Sequence, residues 1–525
     1  MIVTNILRLS GSHTLEAGRK KPRCSGVVRM MAPVLLALHA GIVALENGLR
    51  VSADNQFYYA HDTYIENEAF RDLMEDWAAV TLGYDDFDAN VVYEAHQPPP
   101  SWSPDTAGQG IYERWITCKR DGFSATAGNF YALLGKGITL KSFRNRDMRY
   151  NSNIDGAQFV YANRFLDVTA LGGRPRDFTG LRLNPLQAAE VRVTPAPWGF
   201  LGGTYVQTKL FSDMVASRWG SAYMQLQRDF GSLYTEIASR NIGKGKNATG
   251  AGDNFLKGTG TAFYSSGNFF VKDISALLEA AYYNNFDISE GIKMYNSPPP
   301  AIQEHSNVLM SRVAPTLYAI NHTSLHGSVS CAFSDENNVT MDLTRSRAVA
   351  EGEQGGTNAF VHCADFIRYN ADYWDLFARG EMVFPETIDW MLGSGYQKTL
   401  EAGYLNFAGS NDWGMTGDYS LQGAFEHQWT RIDLTERTFY SQLYSITLAR
   451  ASAPRLSLAG IVERTTNQYS ERKVWIGVQG NWTFYETNEL AVFAGQRQKG
   501  KICSGGVCVN KPEFSGVEVT FSSRL

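Results

Sequence analysis

Apolar and polar residues alternate along most of the chain, in segments of about ten residues. In YSLQGAFEHQWT at 419–430, one face is mostly aromatic or aliphatic and the other is mostly polar. Segments at 376–384, 189–194 and 233–240 follow the same pattern, with Gly, Asn, Asp or Pro between segments. Alternation with a period of two predicts β-strands that each have one apolar and one polar face.

Two architectures fit such strands. A soluble β-sandwich buries the apolar faces between two sheets, whereas a transmembrane β-barrel turns them towards lipid. Three features favour the barrel: long strands with short connections at 439–499, aromatic residues such as Tyr131 and Trp475 near strand ends, and an export signal. In hydrocarbon, backbone N–H and C=O groups must be paired within the protein, which only helices or closed sheets achieve. We therefore predict an all-β fold, a large antiparallel up-and-down transmembrane β-barrel.

The export signal lies at the N-terminus. Basic residues up to Arg29 precede the apolar run MAPVLLALHAGIVA at 31–44, which is the order found in secretory signal peptides. A buried core helix is the alternative. We predict a leader at 1–44 that is removed after export, followed by a single barrel domain at 45–525.

The length sets the number of strands. Without the leader 481 residues remain, and at about 20 residues per strand and connection they form about 24 strands, with a range of 22–26. Long loops are predicted at 285–324, which contains Pro298–Pro300, and at 350–364; a short amphipathic helix is predicted at 63–79. Because the lumen of so large a barrel holds water or a plug, we expect the 285–324 loop to fold inward and constrict it.

Composition and charge exclude several classes of function. The formal net charge is −5, which does not fit a basic nucleic-acid-binding surface. Segment 1–44 has six Lys or Arg and one Glu, so the chain without it carries −10. The nine His residues form no metal-binding pattern, and neither a phosphate loop nor a GxSxG motif occurs. We expect no cofactor and no enzymatic activity, although a Ser-His hydrolase on the outer face of a barrel stays open as an alternative.

The final strand, GVEVTFSSRL at 516–525, carries an assembly motif. Its apolar residues are two apart and in phase with the terminal residue. This pattern resembles the C-terminal signal that the barrel-assembly machinery reads. The residues of this predicted signal are Val517, Val519, Phe521 and Leu525.

Just before that strand, CSGGVC places Cys503 and Cys508 on either side of a Gly-Gly turn. After an export signal the compartment is oxidising, so this spacing favours a short-loop disulfide between them, with free thiols as the alternative.

Two motifs carry a family resemblance. They are GNFYALLGKGITLKSFRNRDMRYNSNIDGAQF at 128–159 and the CSGGVC turn followed by the final strand. Both resemble a family of uncharacterised bacterial outer-membrane β-barrel proteins, known only as a domain of unknown function. The resemblance implies a barrel fold and an outer-membrane location, and it implies no substrate or catalytic residue.

The first of these motifs is too highly charged to face lipid. We predict that its charged residues form an ion-pair network at the rim or in the lumen, and a solvated loop is the alternative. The residues are Arg144, Arg146, Asp147, Arg149 and Asp155.

The polar faces of the strands indicate the function. The predicted lumen-facing residues are Glu190, Arg192, Glu236, Arg379, Glu381, Glu426 and Glu518. A water-filled lumen with these residues predicts a porin-like channel for small polar solutes in the bacterial outer membrane. The alternative is a binding or assembly scaffold of an export or surface complex. The expected partners are outer-membrane lipid and lipopolysaccharide, the barrel-assembly machinery and a protein bound at the loops; no nucleic acid is expected.

Overall fold

The structure is a computed structural model that describes most of the chain. The described residues are 48–98, 108–146, 150–177, 181–210, 215–242, 258–286, 289–290, 293–313, 321–334, 336–348, 373–383, 388–415, 417–504 and 507–524. The predicted leader at 1–44 and the predicted loop at 350–364 lie outside them.

Twenty-four strands of the described chain form one sheet. In chain order they are β1 Leu49–Asp62, β2 Asp72–Tyr84, β3 Phe87–Gln97, β4 Gln109–Arg120, β5 Phe123–Phe130, β6 Ile154–Ala162, β7 Leu166–Pro175, β8 Leu186–Ala196, β9 Gly199–Leu210, β10 Val215–Arg228, β11 Gly231–Ile242, β12 Gly258–Val271, β13 Ile274–Asn284, β14 Asn321–Ala332, β15 Asn338–Ala348, β16 Tyr373–Val383, β17 Ile388–Lys398, β18 Ala402–Gly414, β19 Tyr419–Ile432, β20 Arg437–Arg450, β21 Arg455–Thr465, β22 Val474–Phe484, β23 Asn488–Arg497 and β24 Phe514–Arg524.

The sheet closes on itself. Every strand pairs antiparallel with its neighbours in the chain, and β24 pairs with β1 from Arg524 opposite Asp54 to Gly516 opposite Asp62. Closure leaves no free edge in the sheet, which excludes two separate layers. The predicted fold class, an up-and-down antiparallel barrel of about 24 strands, is confirmed.

Alternation along the strands gives the barrel two chemically different faces. Ile111, Ile237 and Ile446 project outward and are exposed over 64%, 57% and 65% of their surface. Residues at the alternate positions of the strands project inward and include buried polar residues such as Glu236 and Thr344. The outer surface is therefore apolar along the strands, and the inner surface is rich in polar groups.

The two ends of the barrel differ in their connections. At the end where β2 turns into β3, which we call the short-turn end, the connections are two to five residues long. At the opposite end, the long-loop end, they range from 3 to 36 residues. Exposed aromatic side chains, among them Tyr84, Phe165, Phe230 and Tyr485, mark the short-turn end.

Two of the aromatic residues expected at strand ends point inward instead. Trp475 is 1% exposed and donates its indole N–H to Glu513 at 2.7 Å, and the Tyr131 hydroxyl donates to Glu113 at 2.7 Å. Both side chains end in a polar group that finds a partner in the lumen, which lipid does not offer.

The predicted helix at 63–79 is wrong. Only the 3-10 helix Glu68–Phe70 forms there, and β2 begins at Asp72. Residues of β2 pair with β1 over 13 positions, and these ladder hydrogen bonds outweigh the weak local helical pattern.

The described helices are short: α1, Val308–Ser311, has four residues. Within the described ranges, no helix is long and apolar enough to cross a membrane.

Candidate functional site

Two connections from the long-loop end fold into the barrel. We call them inner loop 1, residues 131–153 between β5 and β6, and inner loop 2, residues 285–320 between β13 and β14. Of inner loop 2 the structure describes 285–286, 289–290 and 293–313. The inward position of inner loop 2 agrees with the expectation from the sequence. The insertion of inner loop 1 was not predicted from the sequence.

Apolar residues fix inner loop 1 against the wall. Ile138 and Leu140 are at most 1% exposed and belong to one buried cluster with Val206 of β9 and Trp219 of β10. The Trp219 indole N–H also donates to the Thr139 carbonyl at 2.6 Å. Burying side chains of this size contributes about 1.5–3 kcal/mol each, so the insertion is driven mainly by the hydrophobic effect.

The two inner loops contact each other. The Lys141 N–H donates to the Tyr295 carbonyl at 3.2 Å, and the Asn296 side-chain amide donates to the Ile138 carbonyl at 2.8 Å. The Tyr295 ring lies edge-on to Trp219. Because they share hydrogen bonds and one apolar cluster, we treat inner loop 1 and the described part of inner loop 2 as one unit, the plug.

The tip of inner loop 1 is held by two carboxylates of the wall. The Gly135 N–H donates to Glu190 of β8 at 2.9 Å, and the Lys136 N–H donates to Glu236 of β11 at 3.1 Å. Tyr223 and Tyr234 also donate their hydroxyls to these carboxylates, at 2.7 Å and 2.6 Å.

The far part of inner loop 1 crosses towards β1 and β4. Arg144 lies 3.6 Å from Glu113 of β4, which also accepts the Tyr131 hydroxyl. Burial, together with the charge and hydrogen bonding of Glu113, raises the pKa of Tyr131 above its ordinary value, so this hydroxyl stays protonated and donates. Arg146 reaches Gln56 of β1 at 2.5 Å and Asp54 at 3.4 Å.

These contacts show the partners of two members of the predicted ion-pair network. Arg144 pairs with Glu113 of β4, and Arg146 pairs with Asp54 of β1. Asp155 is exposed on the face of β6 opposite Ile154, which is buried in the interior cluster. Successive strand residues face opposite sides, so Asp155 points away from the lumen. The other two predicted members, Asp147 and Arg149, lie outside the described residues.

Inner loop 2 is anchored on the opposite wall. The N–H groups of Val308 and Leu309, which begin α1, donate to the Glu426 carboxylate of β19 at 2.9 Å and 2.7 Å. Arg312 forms a two-pronged ion pair with Glu463 of β21, at 2.5 Å and 3.1 Å. His305 pairs with Asp375 of β16. The plug therefore bridges opposite sides of the barrel.

A cavity of about 590 Å³ lies beside the plug, along the inner faces of β1, β2 and β22–β24. Arg146 forms part of its lining, with Trp77, Tyr58 and Glu518 on the wall. Arg497 of β23 forms a two-pronged ion pair with Glu518 at 2.8 Å and 3.0 Å, and Tyr58 donates to the same carboxylate at 2.9 Å. The lining thus combines aromatic surface with paired charges.

The seven sequence-predicted lumen residues lie on the faces opposite the exposed apolar residues of their strands. Three of them, Glu190, Glu236 and Glu426, hold the plug. The others pair with neighbours on the wall: Arg192 with Asp167, Arg379 with Glu381, and Glu518 with Arg497.

Sequence reasoning missed the partners that complete these contacts, such as Tyr223, Tyr234, Glu463 and Asp375. Alternation along the strands places these residues on the inner face. This alternation was the only feature of the local sequence that could have identified them. Which loop atoms they meet depends on residues up to about 150 positions away in the chain.

The predicted disulfide and assembly signal are described in part. A short ladder of Gly500–Ser504 with Val507–Lys511 places Cys503 directly opposite Cys508, but their side chains lie outside the described residues. Val517, Val519 and Phe521 share the outer face of β24, and Leu525 is not among the described residues. In the described part of the chain, no His, Cys, Asp and Glu side chains cluster as a metal site would require.

Solved structures with a related overall shape share little sequence with this chain. They include OccK11 (OpdR) of Pseudomonas aeruginosa, at 10% identity over 72% of this chain and 95% of that one, with a TM-score of 0.38. The translocation pore of the P pilus usher PapC matches at 8% identity over 91% of this chain and 99% of that one, with a TM-score of 0.45. OccAB4 of Acinetobacter baumannii matches at 9% identity over 91% and 97%, with a TM-score of 0.35.

No curated protein sequence matches the chain. A model of a protein family matches residues 43–309, which is more than half of the chain and includes the charged motif at 128–159. The protein therefore belongs to the family of unknown function DUF6029.

Proposed function

We propose that the protein is a porin-like channel of the bacterial outer membrane whose lumen is narrowed by the plug and admits small polar solutes. The location is supported by the outer face of the barrel, which exposes apolar residues such as Ile237 and Ile446 along the strands. A closed sheet satisfies its backbone internally, as hydrocarbon requires. Short turns at one end and long loops at the other are the arrangement of outer-membrane barrels.

The cavity beside the plug is the observation that supports passage of small polar solutes. Its volume of about 590 Å³ falls within the range of small-molecule sites. Glu518 and Arg497 on its wall hold paired charges of both signs, and Tyr58 adds a hydroxyl. Such groups replace the hydration shell of a polar solute and leave an apolar one without a driving force to enter.

Arg146 is the proposed narrowing point. It extends from inner loop 1 to Gln56 and Asp54 on β1, and its guanidinium lies 5.6 Å from the centre of the Trp77 ring. A side chain held by a hydrogen bond, an ion pair and an aromatic face closes part of the gap between plug and wall. Truncating it should widen the passage without removing the apolar anchors of the plug.

Conductance in planar bilayers tests this function. We expect stepwise openings for the wild-type chain and a larger single-channel conductance for Arg146→Ala. The matched control is Arg120→Ala, at an exposed position beside a short turn, which should leave conductance unchanged. Silence of both wild type and Arg146→Ala, with the barrel shown to be folded by its heat-dependent mobility on gels, would refute the channel.

The scaffold alternative is favoured by one observation, the extent of the plug. Hydrogen bonds and ion pairs tie it to β1, β8, β11, β19 and β21, so it resembles a fixed part of the structure more than an open gate. On this alternative the loops bind a protein partner and no solute passes. Insertion by the barrel-assembly machinery through the Val517–Phe521 face, and contact with lipid and lipopolysaccharide, are proposed in either case.

A further inference from the structure

The Gly135–Lys136 tip of inner loop 1 lies on an anionic and aromatic part of the wall. Glu190 and Glu236 each accept one peptide N–H from the tip and one tyrosine hydroxyl. The Lys136 ammonium lies 5.3 Å from the centre of the Tyr234 ring. The wall therefore holds a cation and two N–H donors, all of which belong to the protein itself.

The carboxylates depend on the tip for part of their compensation. Glu236 is 0% exposed, and its hydrogen bonds come from the Lys136 N–H, Tyr234 and Ser221. Tyr223 and Tyr234 are buried beside it, at 6% and 7% exposure. A buried carboxylate is costly unless donors and positive charge surround it. When the tip withdraws, each of the two carboxylates loses an N–H donor, and the Tyr234 ring loses the ammonium above it. A replacement with the same chemistry is then favoured.

Only a glycine allows the tip to approach so closely. Gly135 adopts a φ of +55°, and a Cβ atom there would lie 2.7 Å and 2.8 Å from the two carboxylate oxygens of Glu236. A side chain at this position is strained by the positive φ and forces the tip and the Glu236 carboxylate apart. The close contact thus depends on this glycine and can be removed without substituting a residue of the wall.

We infer that this part of the wall is a binding site for a protonated amine. The Gly135–Lys136 tip occupies this site as an intramolecular competitor until an amine-bearing solute displaces it. Carboxylates and aromatic faces in a partly desolvated site are what recognises an ammonium group. The carboxylates of Glu190 and Glu236 repel an anionic solute by their charge, and they accept hydrogen bonds but offer none. This inference rests on the proposed function, because it names the class of solute that the channel admits.

Calorimetric titration of the detergent-purified full chain with spermidine tests the site. We expect Gly135→Ala to bind spermidine about tenfold more tightly than the wild type, since the competing tip then gives up about one hydrogen bond to a charged group. Adding Glu236→Gln, which keeps the shape and removes the charge, should cancel the gain. Gly460→Ala, at a strand position with nothing within 4 Å of the added Cβ, is the matched control and should bind as the wild type does. Sebacate, a dianion of similar length, should bind to none of them.

A second variant covers the case in which Gly135→Ala does not fold, as judged by circular dichroism. Lys136→Gln keeps the peptide N–H donors and removes only the tethered cation, and it should also tighten spermidine binding. Equal spermidine affinity in wild type and tip variants, or a gain that survives Glu236→Gln, would overturn the inference. Because binding is measured without a bilayer, a chain that binds spermidine but never conducts refutes the channel alone, and one that conducts without binding refutes the amine site alone.

Discussion

Replacing Glu426 by Ala should release inner loop 2 from the wall. Its carboxylate accepts the N–H groups of Val308 and Leu309 at 2.9 Å and 2.7 Å. Asn307, at the N-cap position of α1, makes no capping hydrogen bond with its own side chain, so the barrel wall caps this helix from outside. The anchor is therefore a long-range contact that one substitution removes.

The size of the effect follows from these two bonds. A hydrogen bond to a charged group contributes about 1.5–3 kcal/mol. Because the site is only partly buried, we take the lower value, which gives about 3 kcal/mol for the pair. That corresponds to about a hundredfold rise in the equilibrium constant for local opening of α1. Glu426→Gln, which keeps one neutral acceptor, should give an intermediate rise.

Hydrogen exchange measured by mass spectrometry on a peptide covering 301–313 reports this opening directly. In Glu426→Ala, protection of the Val308 and Leu309 amides should fall about a hundredfold. Glu401→Ala, at an exposed position in a turn at the same end, is the control and should leave that peptide unchanged. Unchanged protection in folded Glu426→Ala would refute the assignment of Glu426 as the anchor of inner loop 2.

Two further predictions concern the wall and the thiols. Ile237→Lys places a charge on the outer face of β11, where Ile237 is 57% exposed. In lipid vesicles this substitution should lower the unfolding free energy by about 2–4 kcal/mol. A loss below about 0.5 kcal/mol, which is the usual size for a surface site in water, would contradict a lipid-facing position. For Cys503 and Cys508, which lie opposite each other in a short ladder, the denatured chain should titrate two more thiols after reduction than before, and equal counts would exclude the disulfide.

Some features of this barrel follow from local sequence alone. Alternation at 419–430 places Glu426 and Trp429 on opposite faces whatever the strand pairs with, because successive side chains of any strand point to opposite sides. Long amphipathic strands joined by short turns leave few topologies besides an up-and-down meander. The length then sets a strand number near the 24 that the structure contains.

Other features were decided only by the tertiary structure. The charges at 144–155 look like one network in the sequence, yet Arg146 crosses to β1 and Asp155 points out of the barrel. Trp475 is an aromatic residue near a strand end, a position typical of the membrane interface, yet its side chain is buried inside the barrel. Each outcome depends on contacts between residues far apart in the chain. The local alternation of apolar and polar residues does not reveal the free energy of such contacts.

The sequence by itself therefore determined that strands form, which face of each is apolar and that the sheet must close, since those properties are set by backbone geometry and by neighbours two residues apart. Only the tertiary structure decided that inner loop 1 also enters the barrel and which wall residues hold the plug. Insertion of inner loop 1 depends on Ile138 and Leu140 finding an apolar cluster on distant strands and on Glu190 and Glu236 meeting its tip. Such complementarity exists only once the barrel has closed.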